Sequence, residues 1–192
     1  MFGATTRSAG SILLDGKEIK LSSPADAVRF GIGYVPADRK VQGVLMGRSV
    51  GENVSLATMR ALSHWGMIHV KQEEGLVESY IDSLKIKTPD MRSLVENLSG
   101  GNQQKVALSK WLAASSKVLI LDEPTQGVDV GARHEIYRLM SDLTAENISI
   151  VALSSDMEEL MGIADRILVM HEGRIAGVLD SPEQFSQVVI MG

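Results

Sequence analysis

The chain contains no cysteine. Disulfide bridges and thiolate metal sites are therefore excluded. Its 4 histidines, His64, His69, His134 and His171, are scattered, and none stands at metal-site spacing from another ligand. No apolar run approaches the roughly 20 residues that span a bilayer, and the N-terminus has no apolar core of a signal peptide. Excess positive charge is missing too, since 24 acids against 19 Lys and Arg leave a net charge of −5. That balance argues against a general binder of nucleic-acid backbones. There is no repeat at solenoid periods and no low-complexity stretch. Nor is there any Gly-x-x-x-x-Gly-Lys-Ser/Thr, the loop whose backbone cradles phosphates. The nearest approach, Asp15-Gly16-Lys17-Glu18, lacks the first glycine and the hydroxyl residue. It reads as a hairpin turn after Ser11-Ile12-Leu13-Leu14, because Asp-Gly is a strong turn pair.

What is present suits one globular domain with a real core: 192 residues, 44% hydrophobic and 22% charged. Ser23-Pro24-Ala25-Asp26 starts a helix with proline at its first position, leading to Gly31. Residues 32–35 read as a short strand. Residues 36–51 read as a glycine-punctuated loop in which Arg39-Lys40 is most simply a solvated pair, with gripping a neighbouring surface as the other reading. Residues 73–86 place Leu76, Val77, Tyr80, Ile81 and Leu84 in one helical stripe. Residues 131–146 do the same with Ile136, Leu139, Met140 and Leu143. Residues 166–170 and 174–179 look like strands separated by Glu172-Gly173, and Ser181-Pro182-Glu183 starts a last short helix.

The chemistry concentrates between residues 98 and 129. Leu98-Ser99-Gly100-Gly101-Asn102-Gln103 opens a helix whose apolar face carries Ala107, Leu108, Trp111 and Leu112. A helix start leaves backbone N–H groups unpaired and concentrates partial positive charge, which suits an anion such as phosphate. Ser99 is a good N-cap, and Gly100 and Gly101 would let a phosphate approach the backbone. On these residues alone, an ordinary capped core helix behind a glycine turn is the simpler reading. The apolar run Val118-Leu119-Ile120-Leu121 predicts a strand covered on both faces, as in parallel α/β sheets, ending in Asp122-Glu123. Ligands of such sheets bind beyond the strands' carboxyl ends. If the strand continues through them, the two acids point to opposite sides. One can hold Mg²⁺ through water, and the other can orient or deprotonate an attacking water. The bland alternative is an exposed strand end with two solvated acids.

Together these motifs resemble the nucleotide-binding domain of ATP-binding cassette (ABC) transporters. Leu98, Ser99, Gly100, Gly101, Asn102 and Gln103 match the signature that contacts nucleotide in trans. Residues 118–122 match Walker B with Asp122 toward Mg²⁺, Glu123 matches the catalytic glutamate, and Gly127-Val128-Asp129 lies at the D-loop. Tyr34-Val35-Pro36-Ala37-Asp38-Arg39-Lys40 and Ser154-Ser155-Asp156-Met157-Glu158 are similar to the second cassette of the double-cassette ATPases of ribose, galactose and xylose import, the ribose type first. The resemblance implies an α/β fold of the P-loop NTPase type: a parallel sheet, a helical subdomain at about residues 52–115 and a small antiparallel β part. It implies ATP and Mg²⁺ as cofactors. The implied partners are another ABC cassette, a transmembrane sugar permease and, indirectly, a periplasmic sugar-binding protein, with no nucleic acid. The implied place is cytoplasmic, peripheral on the inner face of the cell membrane, and Met59, Trp65, Met67 and Ile68 are candidates for part of the permease contact or for core.

Measured against that family, the chain reads as a single partial domain, 1–192, truncated before the segment that Met1-Phe2-Gly3-Ala4 resembles. Walker A would lie upstream, and the isolated chain is expected to be inactive, poorly stable or oligomeric. Two positions look degenerate. The family's Q-loop glutamine falls at Ala37, which has no donor or acceptor, and the switch histidine is replaced by Ser155, which cannot become cationic. Ser155 with Glu158 instead reads as a capping box for the next helix. Two rivals stay open: a non-catalytic half-cassette that only binds partners, and an ABC-type ATPase acting outside transport.

Overall fold

Residues 32–35, 118–122 and 149–153 are short runs rich in aliphatic side chains, the type that stacks in a sheet covered on both sides. The computed structural model, which describes residues 2–5 and 7–185, builds the central sheet from them. In chain order the elements are β1 (Ile12–Leu14), β2 (Lys17–Ile19), α1 (Pro24–Arg29), β3 (Ile32–Val35), α2 (Val50–Ser55), α3 (Met59–Leu62), β4 (Ser63–His64), β5 (Met67–Ile68) and α4 (Val70–Ser83). Then come α5 (Gly100–Ala113), β6 (Val118–Asp122), α6 (Val130–Ala145), β7 (Ser149–Leu153), α7 (Met157–Ile163), β8 (Ile167–His171) and β9 (Arg174–Leu179). A π-helical turn covers Arg39–Gly43, and 3-10 turns cover Val95–Asn97 and Pro182–Gln184.

The strand order is β3-β6-β7, all parallel, with Val35 beside Leu121 and Asp122 beside Leu153. Parallel neighbours need long crossovers: α2 to α5 lie between β3 and β6, and α6 lies between β6 and β7. Strand β6 alternates its side chains between two cores. Leu119 and Leu121 pack with Leu108 and Trp111 of α5 and Ile136 and Met140 of α6, whereas Ile120 packs with Ile19, Ala27 and Ile32. This is the doubly covered strand that the apolar run predicts.

Helix α5 is buried nearly all the way round rather than along one face. Ala107, Leu108, Trp111 and Leu112 are in the core as expected, but Gln103, Gln104, Lys105, Ser109 and Lys110 are buried as well. The helix lies between the sheet and helices α2 and α4, so its polar side chains find internal partners. Lys105 Nζ donates to Glu135 Oε2 at 2.8 Å and to the Lys85 carbonyl at 3.2 Å. Helix α4 begins three residues before the expected stretch; Val77 and Leu84 are buried, and Leu76, Tyr80 and Ile81 pack partly buried on the same core.

Short hairpins complete the small antiparallel part. At the β1–β2 turn Asp15 and Gly16 have φ of +51° and +74°, the doubly left-handed pair of a tight hairpin. Glu172 and Gly173 do the same between β8 and β9, at +47° and +75°. The 36–51 segment is less irregular than its glycines suggest. It holds the π-helical turn, and Ser49 with Glu52 forms a capping box that starts α2.

Candidate functional site

The carboxyl ends of β3, β6 and β7 lie along one edge of the sheet. Asp122 stands at this edge, and Ala37, Glu123 and Ser155 come just beyond it. Asp122 closes β6, partly buried, and its Oδ2 accepts the Tyr34 hydroxyl at 3.0 Å. Burial first, then this bond to the Asp122 carboxylate, pushes the Tyr34 phenol above its ordinary value. Glu123 does not continue the strand. Its φ is +47°, so the chain turns sharply there and the simple two-sided alternation of the acids does not apply. Its backbone N–H donates to the Leu153 carbonyl, and its Oε1 accepts the Ser155 N–H, each at 2.8 Å. Glu123 Oε2 makes no hydrogen bond among the described residues.

Ser155 does not cap α7. The N-cap is Asp156, whose carboxylate accepts the Glu159 N–H at 3.1 Å. The frame shifts by one residue because the Ser155 N–H is already given to Glu123, while the Asp156 N–H is taken by Ser154 Oγ at 3.1 Å. Behind this turn sits the buried Glu159 carboxylate, which accepts Thr125 Oγ1 at 2.9 Å and the Ser154 hydroxyl. The turns after β6 and β7 are thereby tied together. A glutamate in a helix's first turn gives no sequence signal for such a role.

The second cluster surrounds the start of α5. Ser99 has the extended backbone of an N-cap residue and is exposed, but its hydroxyl accepts Asn102 Nδ2 at 2.9 Å instead of a backbone N–H. Asn102 Oδ1 accepts the Lys87 N–H at 2.8 Å. Gln103 turns inward and donates to the Val95 and Leu98 carbonyls at 3.3 and 3.1 Å. Leu98 packs partly buried on the main core. The two glycines admit protein: a Cβ on Gly100 would stand 2.5 Å from the Gly127 carbonyl oxygen, and one on Gly101 would stand 2.7 Å from Ala132 Cβ. Asp129 is the N-cap of α6 and accepts the Ala132 N–H at 3.0 Å. Ser99, Gly101, Asn102 and Asp129 line one open cleft of about 310 Å³ with Lys87 and Glu135.

Arg39 departs from the solvated pair expected for Arg39-Lys40. Lys40 is exposed, but Arg39 is buried and donates to the Gln126 carbonyl and, at 3.0 Å, to the Gly127 carbonyl. Burial holds its guanidinium below the usual arginine range. Among the described residues no group of three or more His, Cys, Asp or Glu is placed to hold a metal ion by itself, and no helix is long and apolar enough to cross a membrane.

The arrangement has clear relatives. The chain is 46% identical over 181 residues to the ribose import ATP-binding protein of Chromobacterium violaceum, covering 94% of this chain and 36% of that protein. It is 46% identical over 184 residues to the ribose import ATP-binding protein of Clostridium perfringens, covering 95% of this chain and 37% of that protein. The chain thus spans little more than a third of these relatives. Among solved structures, cbiO1 of Clostridium perfringens, part of the ABC transporter complex cbiONQ, superposes with a TM-score of 0.78 at 28% identity, over 98% of this chain and 73% of that one. The fold is the cassette fold, of which the described elements form a part. With the ABC transporter family model matching residues 1–126, the chain belongs to the ABC transporter family.

Proposed function

We propose that the chain is part of the ATP-binding subunit of an importer for a sugar such as ribose, and corresponds to its second cassette. One observation carries the reading: the start of α5, with Ser99 exposed and Gly101 beside it, lines a cleft shared with Asp129, while Asp122 and Glu123 stand at the carboxyl end of the middle strand of a parallel sheet. The 46% identity to two ribose import ATP-binding proteins supports the sugar class. The same relatives do not favour an ABC-type ATPase outside transport.

The residues fit the cofactors by their chemistry. Mg²⁺ takes one or two carboxylates and completes its shell with water and phosphate oxygens, so no closed protein cage is needed. Asp122 would hold it through water, with Tyr34 fixing the carboxylate's orientation through Oδ2. Bound ATP with Mg²⁺ supplies the phosphoryl group and neutralises its charge. Glu123 acts on the attacking water: the Ser155 N–H holds Oε1 and leaves Oε2 to take a proton. Ser99, Gly100 and Gly101 would face the terminal phosphate bound on another cassette, where the amides and dipole of α5 favour an anion. Ala37 contributes no polar group to this work. The further partners are a membrane permease and, through it, a periplasmic sugar-binding protein, so the subunit would work at the inner face of the membrane.

A chimera tests the reading. Residues 1–192 replace the matched segment of the Chromobacterium violaceum protein, and ATP hydrolysis and ribose uptake are measured. The expected result is Mg²⁺-dependent hydrolysis that Glu123→Gln lowers by about 100-fold or more. A folded chimera whose hydrolysis is unchanged by Glu123→Gln would remove Glu123 from the mechanism, and one that is inert would count against the chain's serving as the second cassette of a sugar importer.

A further inference from the structure

The Arg39 guanidinium has no part in the function proposed above, yet the fold is arranged around it. It is 6% exposed. The π-helical turn that begins with it folds back so tightly that a Cβ on Gly43 would stand 2.9 Å from Arg39 Cβ, and the Lys110 ammonium holds the Gly43 carbonyl at 2.5 Å. Its two Nη atoms donate to successive carbonyls, Gln126 and Gly127, which lie 87 and 88 residues further along the chain. Gly127 has φ +65°, so those carbonyls are aimed by a backbone conformation that other residues rarely adopt. Gly100 meets both partners, since its Cβ would stand 2.5 Å from the Gly127 oxygen and 2.7 Å from Arg39 Nη2. Three segments distant in sequence therefore converge on one side chain.

The energetics argue against space filling. The guanidinium takes part in none of the ion pairs among the described residues, and its Nε is buried without an acceptor. A buried cation with no ion-paired carboxylate is costly: the charge of neighbouring Asp38 opposes the desolvation of Arg39 without outweighing it, and the nearby N-terminus of α5 adds partial charge of the same sign. An apolar side chain would fill the volume at lower cost. What it could not do is present two donors in a rigid plane to two neighbouring carbonyls.

We propose that Arg39 is a positioning residue: its planar fork fixes the 126–127 turn against the first turn of α5, so that the Ser99–Gly101 helix start and Asp129 move as one surface. That this surface faces a phosphate rests on the function proposed above; the locking itself does not.

Hydrogen–deuterium exchange on the 192-residue chain tests it. In Arg39→Lys, which keeps the charge but not the fork, the hydrogen-bonded amides of Gln103 in the first turn of α5 and of Gln126 and Val128 in the turn after β6 exchange about tenfold faster, while β6 is unchanged. In Arg39→Ala, added methylguanidine restores protection to both segments and methylammonium does not. Val77→Ala, a core cavity remote from the turn, reports what general destabilisation looks like. Wild-type protection of both segments in Arg39→Lys would overturn the proposal, as would a loss spread evenly over β6 and α5 in the Val77→Ala pattern. The readout contains no nucleotide, so its failure and the failure of the ATPase reading are told apart.

Discussion

Lys110 carries an ammonium into the packing between α5 and the 39–43 turn. It is 7% exposed, its Nζ donates to the Gly43 carbonyl at 2.5 Å, and it lies 4.8 Å from the centre of the Trp111 ring. Desolvation lowers its pKa from the ordinary 10.5 to about 8. Below pH 8 both folded and unfolded chains hold the proton, and the burial penalty is present in full. Between pH 8 and 10.5 the unfolded chain binds more protons than the folded one, so stability rises with pH through this window. The expected result is that unfolding free energy increases from about pH 7.5 to about pH 9.5 by about 2 kcal/mol more in the wild type than in Lys110→Met. Urea midpoints at the two pH values check this, and parallel pH dependence in the two proteins would contradict it. At this scale the sequence is a partial guide. A lysine beside a tryptophan reads as the polar edge of an amphipathic helix, and only the carbonyl at Gly43, 67 residues away, makes it internal.

Helix ends and helix faces behave differently as predictors. Ser23 before Pro24, Asp129 before Val130 and Ser49 before Val50 all cap their helices, because a cap needs only a short polar side chain near its own backbone. The start of α7 offers both Ser155 and Asp156 within one residue, and the choice is made by Glu123 from across the sheet, which accepts the Ser155 N–H. Asp156→Ala should therefore cost about 1 kcal/mol in denaturant unfolding, whereas Ser155→Ala stays within about 0.5 kcal/mol of wild type. The reverse ranking would restore the capping role to Ser155. Helix α5 carries the larger energy. Leu108 is fully buried between the sheet and the helical layer, and Leu108→Ala should destabilise by about 2–5 kcal/mol. A loss under about 1 kcal/mol in the same unfolding measurement would mean that the site collapses to fill the cavity.

Across the whole molecule the central sheet has two edge strands among the described residues, β3 and β7. Strand β7 pairs only with β6 among the described residues, and β8–β9 forms a separate two-stranded sheet. Val151 and Leu153 on β7 are 39% and 45% exposed, and Leu168, Met170 and Ile175 on the hairpin are more so. An unpaired edge with exposed apolar side chains favours pairing with another chain. The 192-residue chain is expected to self-associate at micromolar concentration, and Val151→Lys with Leu153→Lys should shift it toward monomer in sedimentation velocity. A wild-type monomer with no concentration dependence would show that the edge is protected.

The sequence by itself determined the features that depend on near neighbours. The Asp15-Gly16 and Glu172-Gly173 hairpins and the doubly covered strand at 118–122 follow from local turn chemistry and side-chain period. Tertiary structure decided the rest: the burial of Arg39, Lys110 and Glu159, the left-handed turn at Glu123, and the use of Gly100 and Gly101 for protein contacts. The physical reason is common to them. Whether a polar group is buried, and in what conformation, depends on a partner that can offset its desolvation, and for Arg39 that partner lies 87 residues away, beyond the reach of any periodicity.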